Sequence, residues 1–163
     1  MEIDERVAGY LRDVAIPVRV GCVDEAGWPV VLSLWYLYDQ GRLLCATTAS
    51  ARVVGYLRAE PRCAFEIAGD LPPYCGVRGR ATVTIDPDQG WAVLERLLVR
   101  YLGGTDNKLA QRLLARNVDE VALILTPSTL HTWNYAPRMA DLPGAAGQKP
   151  CPPSDPTSSR SSR

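Results

Sequence analysis

Within the stretch LLCATTASARVVGYLR, Leu43 to Arg58, hydroxyl groups and one guanidinium are gathered between two apolar runs. Leu43, Leu44, Cys45 and Ala46 read as a buried strand, and Val53, Val54 and Leu57 return at helical spacing. Between them, Thr47, Thr48, Ser50 and Arg52 stand where a strand ends and a helix begins. Such a junction turns backbone N–H groups toward one spot, and the helix end adds roughly half a positive charge. With the Arg52 guanidinium as a bidentate fork, this chemistry suits a phosphate. The same residues also describe a helix capped by Ser50 with a surface arginine, and the stretch by itself leaves both readings open.

Other reactive side chains are sparse. His131 is the single histidine, which removes a His-rich metal centre. No two of the five cysteines stand at metal-ligand spacing, and Cys22, Cys45, Cys63 and Cys75 lie in apolar runs where they read as small buried hydrophobes. No acid–base pair stands out, so catalytic residues stay unassigned. Arg78 and Arg80 share one face of an alternating strand, either as a solvated face or as a clamp for a phosphate or an acidic substrate. Gly79 between them admits another backbone or a flat ring. Trp133 is core or a stacking wall; Trp28, Trp91 and Tyr74 belong to packing or to a pocket rim.

The elements that position these groups follow from periodicity. Ile3, Val7, Tyr10, Leu11 and Val14 predict a short amphipathic helix before Pro17. PVRVGCV and the run from Pro29 to Tyr38 predict two strands joined by a turn at Asp24 to Gly27, and a turn at Asp39 to Gly41 leads into the Leu43 strand. Pro61 ends the Arg52 helix, Cys63 to Ala68 forms a strand, and Val77, Gly79, Ala81, Val83 and Ile85 face inward on the next. Leu94, Leu97, Leu98, Tyr101 and Leu102 predict a helix closed by Gly103 and Gly104; Leu109, Leu113 and Leu114 predict a second. Val121 to Thr126 and Leu130 to Tyr135 read as two final strands bent at Pro127.

Six or seven antiparallel strands with accessory helices predict a mainly β, α+β fold closed as a small barrel, since closure removes exposed edges. Residues 1–142 form this domain, and 143–163, rich in Pro and Ser, are expected to be disordered. Eighteen basic residues balance eighteen acidic ones, so no overall field favours nucleic acid or an anionic membrane. No apolar run approaches the roughly 20 residues that cross a bilayer, and the acidic, amphipathic N-terminus is unlike a secretory signal, so a cytoplasmic protein is expected.

A wider pattern runs from about Val18 to Tyr135. Asp24, Gly27, Pro29, Trp35, Tyr36, Gly41, Thr47, Arg52, Leu57 and Pro61, then Val77, Gly79 and Ala81, then Thr126, Pro127 and Trp133, fall in the order of the pyridoxamine 5'-phosphate oxidase-like, flavin-binding split-barrel family, which the chain resembles. The resemblance implies a homodimeric split β-barrel with FMN, or alternatively a deazaflavin coenzyme (F-420), at the dimer interface. It implies a phosphate held by Thr47, Thr48, Ser50 and Arg52, and a ring system against Leu34, Trp35 and Tyr36. Arg78 and Trp133 complete the set of cofactor-binding residues. The family's Ser-Arg-Lys triplet stands here as Ala51, Arg52 and Val53, so one strong cation replaces two. The implied activity is transfer of a hydride or electrons to a small organic substrate; a non-enzymatic dimer that binds a flavin or haem is the alternative.

Overall fold

The computed structural model describes residues 3–139 together with Cys151 and Pro152. Helix α1 (Glu5–Asp13) starts at Asp4, whose carboxylate accepts the Arg6 N–H at 2.8 Å. Strands β1 (Val18–Val23) and β2 (Pro29–Leu34) form a hairpin whose turn is built by the Asp24 carboxylate, which accepts the Ala26 and Trp28 N–H groups at 2.9 Å. Then come β3 (Leu37–Asp39), β4 (Arg42–Thr48), α2 (Arg52–Ala59), β5 (Arg62–Ala68) and β6 (Cys75–Asp86). Helices α3 (Gly90–Leu102) and α4 (Lys108–Leu114) precede the long β7 (Glu120–Asn134).

All seven strands join one antiparallel sheet in the order β2-β1-β5-β6-β7-β4-β3. The two edge strands, β2 and β3, are consecutive in the chain and separated by Trp35 and Tyr36 alone. Three peptide steps from Leu34 to Leu37 span at most about 11 Å, so the sheet must roll until its edges meet. The result is the seven-stranded barrel expected from the sequence, split at the Trp35–Tyr36 corner. The strand expected to run unbroken from Pro29 to Tyr38 is therefore two strands. The corner is held by tertiary contacts: the Tyr36 N–H donates to Tyr101 Oη at 3.3 Å, and the Tyr36 hydroxyl donates to the Leu11 and Val14 carbonyls at 2.8 and 3.3 Å.

Strand parity divides the core. Leu43 and Cys45 of β4 and Val121, Leu123 and Leu125 of β7 point into the barrel, where α1 and α2 add Val7, Leu11, Val53, Val54 and Leu57. Leu44 of β4 and Ala122 and Ile124 of β7 point outward and are covered by Val93 and Leu97 of α3. Arg100, near the end of α3, donates to the Leu11, Arg12 and Val14 carbonyls, so it supplies donors to the C-terminal turn of α1 and locks the two helices together.

Two further expectations are corrected. The last two strands form one element, because the proline is absorbed by a bulge: Arg80 pairs with Thr129 and Ala81 with Pro127, leaving Ser128 extra. The Thr129 hydroxyl accepts the Arg80 N–H at 3.2 Å and the Ser128 hydroxyl donates to the Arg80 carbonyl at 3.3 Å, which replaces ladder bonds that Pro127 cannot make. Cys22, Cys45 and Cys63 are free and buried as expected, but Cys75 is bonded to Cys151, with Cα atoms 5.7 Å apart. The rest of the segment expected to be disordered, 143–163, lies outside the described residues.

Candidate functional site

At the split between β2 and β4, a cleft of about 340 Å³ opens against α3. One wall is the end of β2 with Ser33, Leu34 and Trp35; the other is the end of β4 with Ala46, Thr47 and Thr48. Leu94 and Leu97 of α3 and Leu113 of α4 add apolar surface, while Arg116 and Glu120 add charge. Its volume and its mixture of apolar walls with a few polar groups are those of a small-molecule site. Trp35 is fixed by stacking on Tyr101, with ring centroids 4.9 Å apart and planes 8° from parallel. That contact presents the indole as a rigid wall.

The cleft brings together four of the residues singled out from the sequence: Leu34, Trp35, Thr47 and Thr48. Ser50 and Arg52 follow Thr48 in the chain but do not line the cleft. The Ala51 N–H donates to the Thr48 carbonyl at 2.9 Å, so α2 begins one hydrogen-bonded turn beyond the cleft. Ser50 does not cap that helix. The cap position is Ala51, without a side-chain bond, and Ser50 is exposed in the turn. The first turn of α2 therefore carries no side-chain acceptor, and the exposed Arg52 stands at its start.

Tyr36, Arg78 and Trp133 lie elsewhere. Tyr36 is completely buried in the barrel, with Arg100 packed over its ring at 5.2 Å, and its side chain does not reach the cleft. Burial raises its pKa, although the Arg100 charge opposes the shift. Arg78 lies on the outer face of the sheet, in the register row Ser33, Arg19, Glu66, Arg78 and His131. A depression of about 570 Å³ covers Arg19, Glu66, Arg78 and His131 of this row and the bare patch made by Gly21 and Ala64. Gly79 is required by a backbone: a Cβ there would lie 2.1 Å from the Thr129 carbonyl oxygen. Trp133 packs at 5.4 Å on Tyr135, and its buried Nε1 has no hydrogen-bond partner.

Glu120 is the functional candidate that sequence reasoning missed. It opens the apolar run of β7, and parity with Ala122 and Ile124 places it under α3, directly opposite Thr48 of β4. That parity was the available signal, once the apolar run Val121 to Leu125 is read as a strand buried on both faces. The side chain is 3% exposed, and its ion-pair partner, Arg116 Nη1, stands 3.8 Å away. Burial raises the Glu120 pKa above the ordinary carboxylate value, with the Arg116 charge opposing. A group whose pKa is higher folded than unfolded binds its proton more tightly when folded, so its stabilising contribution is complete at low pH and is lost as pH rises. Glu120→Gln should therefore match the parent near pH 4 and exceed it at pH 7, as urea unfolding across that range would measure.

Nucleophilic thiol chemistry is disfavoured at the three free cysteines. Burial raises Cys22, pushes Cys63 up to about 11 and raises Cys45 further, so none of the three supplies a thiolate at neutral pH.

No family model matches the chain, and no curated protein matches it. Solved structures do. An F420 reductase superposes with a TM-score of 0.63 at 23% identity, covering 74% of this chain and 93% of that one. A conserved hypothetical protein of Mycobacterium tuberculosis, Rv2991, gives 0.68 at 19% identity, covering 88% and 90%. A candidate pyridoxamine 5'-phosphate oxidase from Listeria innocua gives 0.61 at 14%, covering 80% and 98%. The chain shares the split-barrel fold of these solved structures. No helix among the described residues is long and apolar enough to cross a membrane.

Proposed function

We propose that this split barrel binds a flavin-type cofactor, FMN or alternatively a deazaflavin, and acts as an oxidoreductase on a small organic substrate. One observation carries the reading. A slot walled by Leu34 and Trp35 ends beside Thr47, Thr48 and a helix start that has Arg52 but no side-chain cap. Apolar walls suit a flat ring, and the uncapped turn suits a phosphate. The bound cofactor supplies the redox chemistry; the chain supplies position, a water-poor slot and electrostatics. The likeness to an F420 reductase supports the deazaflavin alternative.

Titration of the purified protein with FMN and with the deazaflavin, followed by absorption and fluorescence, tests binding; no response to either overturns the reading. Saturable reduction of the bound cofactor by a nicotinamide donor, or its reoxidation by an organic acceptor, separates an enzyme from a storage protein. Arg52→Ala should weaken FMN binding roughly ten- to a hundredfold, as expected for one charge-assisted contact, while leaving phosphate-free riboflavin unchanged.

We infer a homodimer as well. Val31 and Trp28 on the β1–β2 hairpin are each 71% exposed, beside the bare patch of Gly21 and Ala64. A second copy over this face would cover that apolar area. Analytical ultracentrifugation at micromolar concentration should give twice the chain mass; a monomer overturns this part.

A further inference from the structure

Glu120 stands at the end of the cleft to which the cofactor reading gives the phosphate. Thr48 of β4 and Glu120 of β7 are paired directly across the ladder, in the parity of the Leu44–Ile124 and Ala46–Ala122 pairs that α3 covers, so their side chains are neighbours on one face. Cross-strand neighbours of this kind have Cβ atoms about 4.5–5.5 Å apart. The Glu120 side chain is 3% exposed, and the Arg116 guanidinium stands 3.8 Å away, beyond hydrogen-bond distance. Of the described residues that line the cleft, only Arg116 and Glu120 are charged, so the lining itself offers an anion no surplus positive charge. Arg52, outside that lining, adds a single one. A buried carboxylate is poorly screened by water and salt, so it repels each negative charge placed beside it more strongly than a surface carboxylate would.

Resting on the cofactor reading above, we infer that Glu120 sets the charge of the phosphate group accepted at this end of the cleft: a phosphodiester with one negative charge, in preference to a terminal monoester with two. The single cation at Arg52 balances one negative charge, and the Thr48 hydroxyl can donate to a phosphoryl oxygen of either ester. The second charge of a monoester has no cation left to meet it and faces the Glu120 carboxylate. Esterifying one more oxygen removes that charge and leaves the hydrogen-bond acceptors in place. FMN ends in a monoester, whereas the deazaflavin coenzyme carries its phosphate within a diester, so Glu120 tips the choice between the two cofactors toward the second. The walls at Leu34 and Trp35 take no part in that choice, since they are apolar toward either ring.

The test uses the full chain at pH 8, where a monoester is a dianion, and two probes with the same ring and ribityl chain: FMN and the methyl ester of its phosphate. Phosphate-free riboflavin serves as the reference for the ring. The parent should bind the methyl ester at least about tenfold more tightly than FMN, as one extra charge beside a buried carboxylate demands. Glu120→Gln keeps the size of the side chain and removes its charge; it should tighten FMN binding by more than it tightens methyl ester binding, remove the preference, and leave riboflavin unchanged. A gain in affinity is an outcome that a damaged fold does not produce. FMN affinity in the parent equal to or above that of the methyl ester, or a preference that survives Glu120→Gln, overturns the inference while the cofactor reading stands. Failure of both probes to bind the parent and Glu120→Gln overturns the inference as well, and the cofactor reading falls with it if the deazaflavin also fails to bind.

Discussion

Gly90→Ala should lower the stability of the protein by about 2 kcal/mol net and widen the cleft. Alanine is normally the better helix residue, by up to about 1 kcal/mol. At this position the first residue of α3 lies on the backbone of β7: a Cβ would stand 2.1 Å from the Glu120 carbonyl oxygen, 2.2 Å from its carbon and 2.6 Å from the Val121 nitrogen. Backbone atoms paired into the β4–β7 ladder do not yield as a flexible side chain would, so the start of α3 must move away. Overpacking of this kind costs about 3 kcal/mol, which outweighs the gain in propensity. For a chain of this size the melting temperature should fall by about 4–8 °C. The displaced helix carries Leu94 and Leu97, two walls of the cleft, so cofactor affinity should fall with stability. Thermal unfolding followed by circular dichroism, together with an FMN titration, measures both; a variant as stable as the parent would show that α3 is not seated on Glu120.

This coupling illustrates which parts of the molecule are legible in the sequence. Where one local pattern decides the outcome, reading is direct. Val77, Ala81 and Val83 alternate with Arg78, Arg80 and Thr82, and the strand shows that inside-and-outside division. Gly103, at φ 76°, ends α3 where a left-handed residue is needed. The ordered residues from about Val18 to Tyr135 carried the resemblance that implied a split barrel. Local pattern fails where a residue answers to a distant partner. Trp35 and Tyr36 continue an apolar run and look like strand, yet barrel closure makes them a corner that Tyr101 and α1 hold. Cys75 sits in an apolar run like the other three, and its bond to a residue 76 positions away has no local trace. Ser50 has the chemistry of a cap, but the turn to Thr48 shifts the helix start by one residue. Glu120 is the most consequential case, since its burial depends on α3 crossing over the end of β7.

Tyr36 decides whether the corner of the barrel serves structure or ligand. Its side chain is fully buried, its hydroxyl donates to Leu11 and Val14, and Arg100 lies over its ring. Tyr36→Ala should therefore cost about 3–5 kcal/mol, the range for emptying a large aromatic site in a close-packed core. Such a loss is a large share of the 5–15 kcal/mol that holds a domain of this kind together. Tyr36→Phe is the more informative variant. The Leu11 and Val14 carbonyls keep their bonds from Arg100, so removal of the hydroxyl should cost only about 1 kcal/mol. Because the ring and the Trp35 wall stay in place, FMN affinity should remain within twofold of the parent. Urea unfolding and a cofactor titration on the same preparation separate the two effects. A Tyr36→Phe protein that keeps its stability but loses the cofactor would place the hydroxyl at the ligand, as the family resemblance implies, and would require the corner to open on binding. Lost stability with retained affinity would confine Tyr36 to holding the seam, and leave Trp35 as the aromatic face that the corner offers to the cleft.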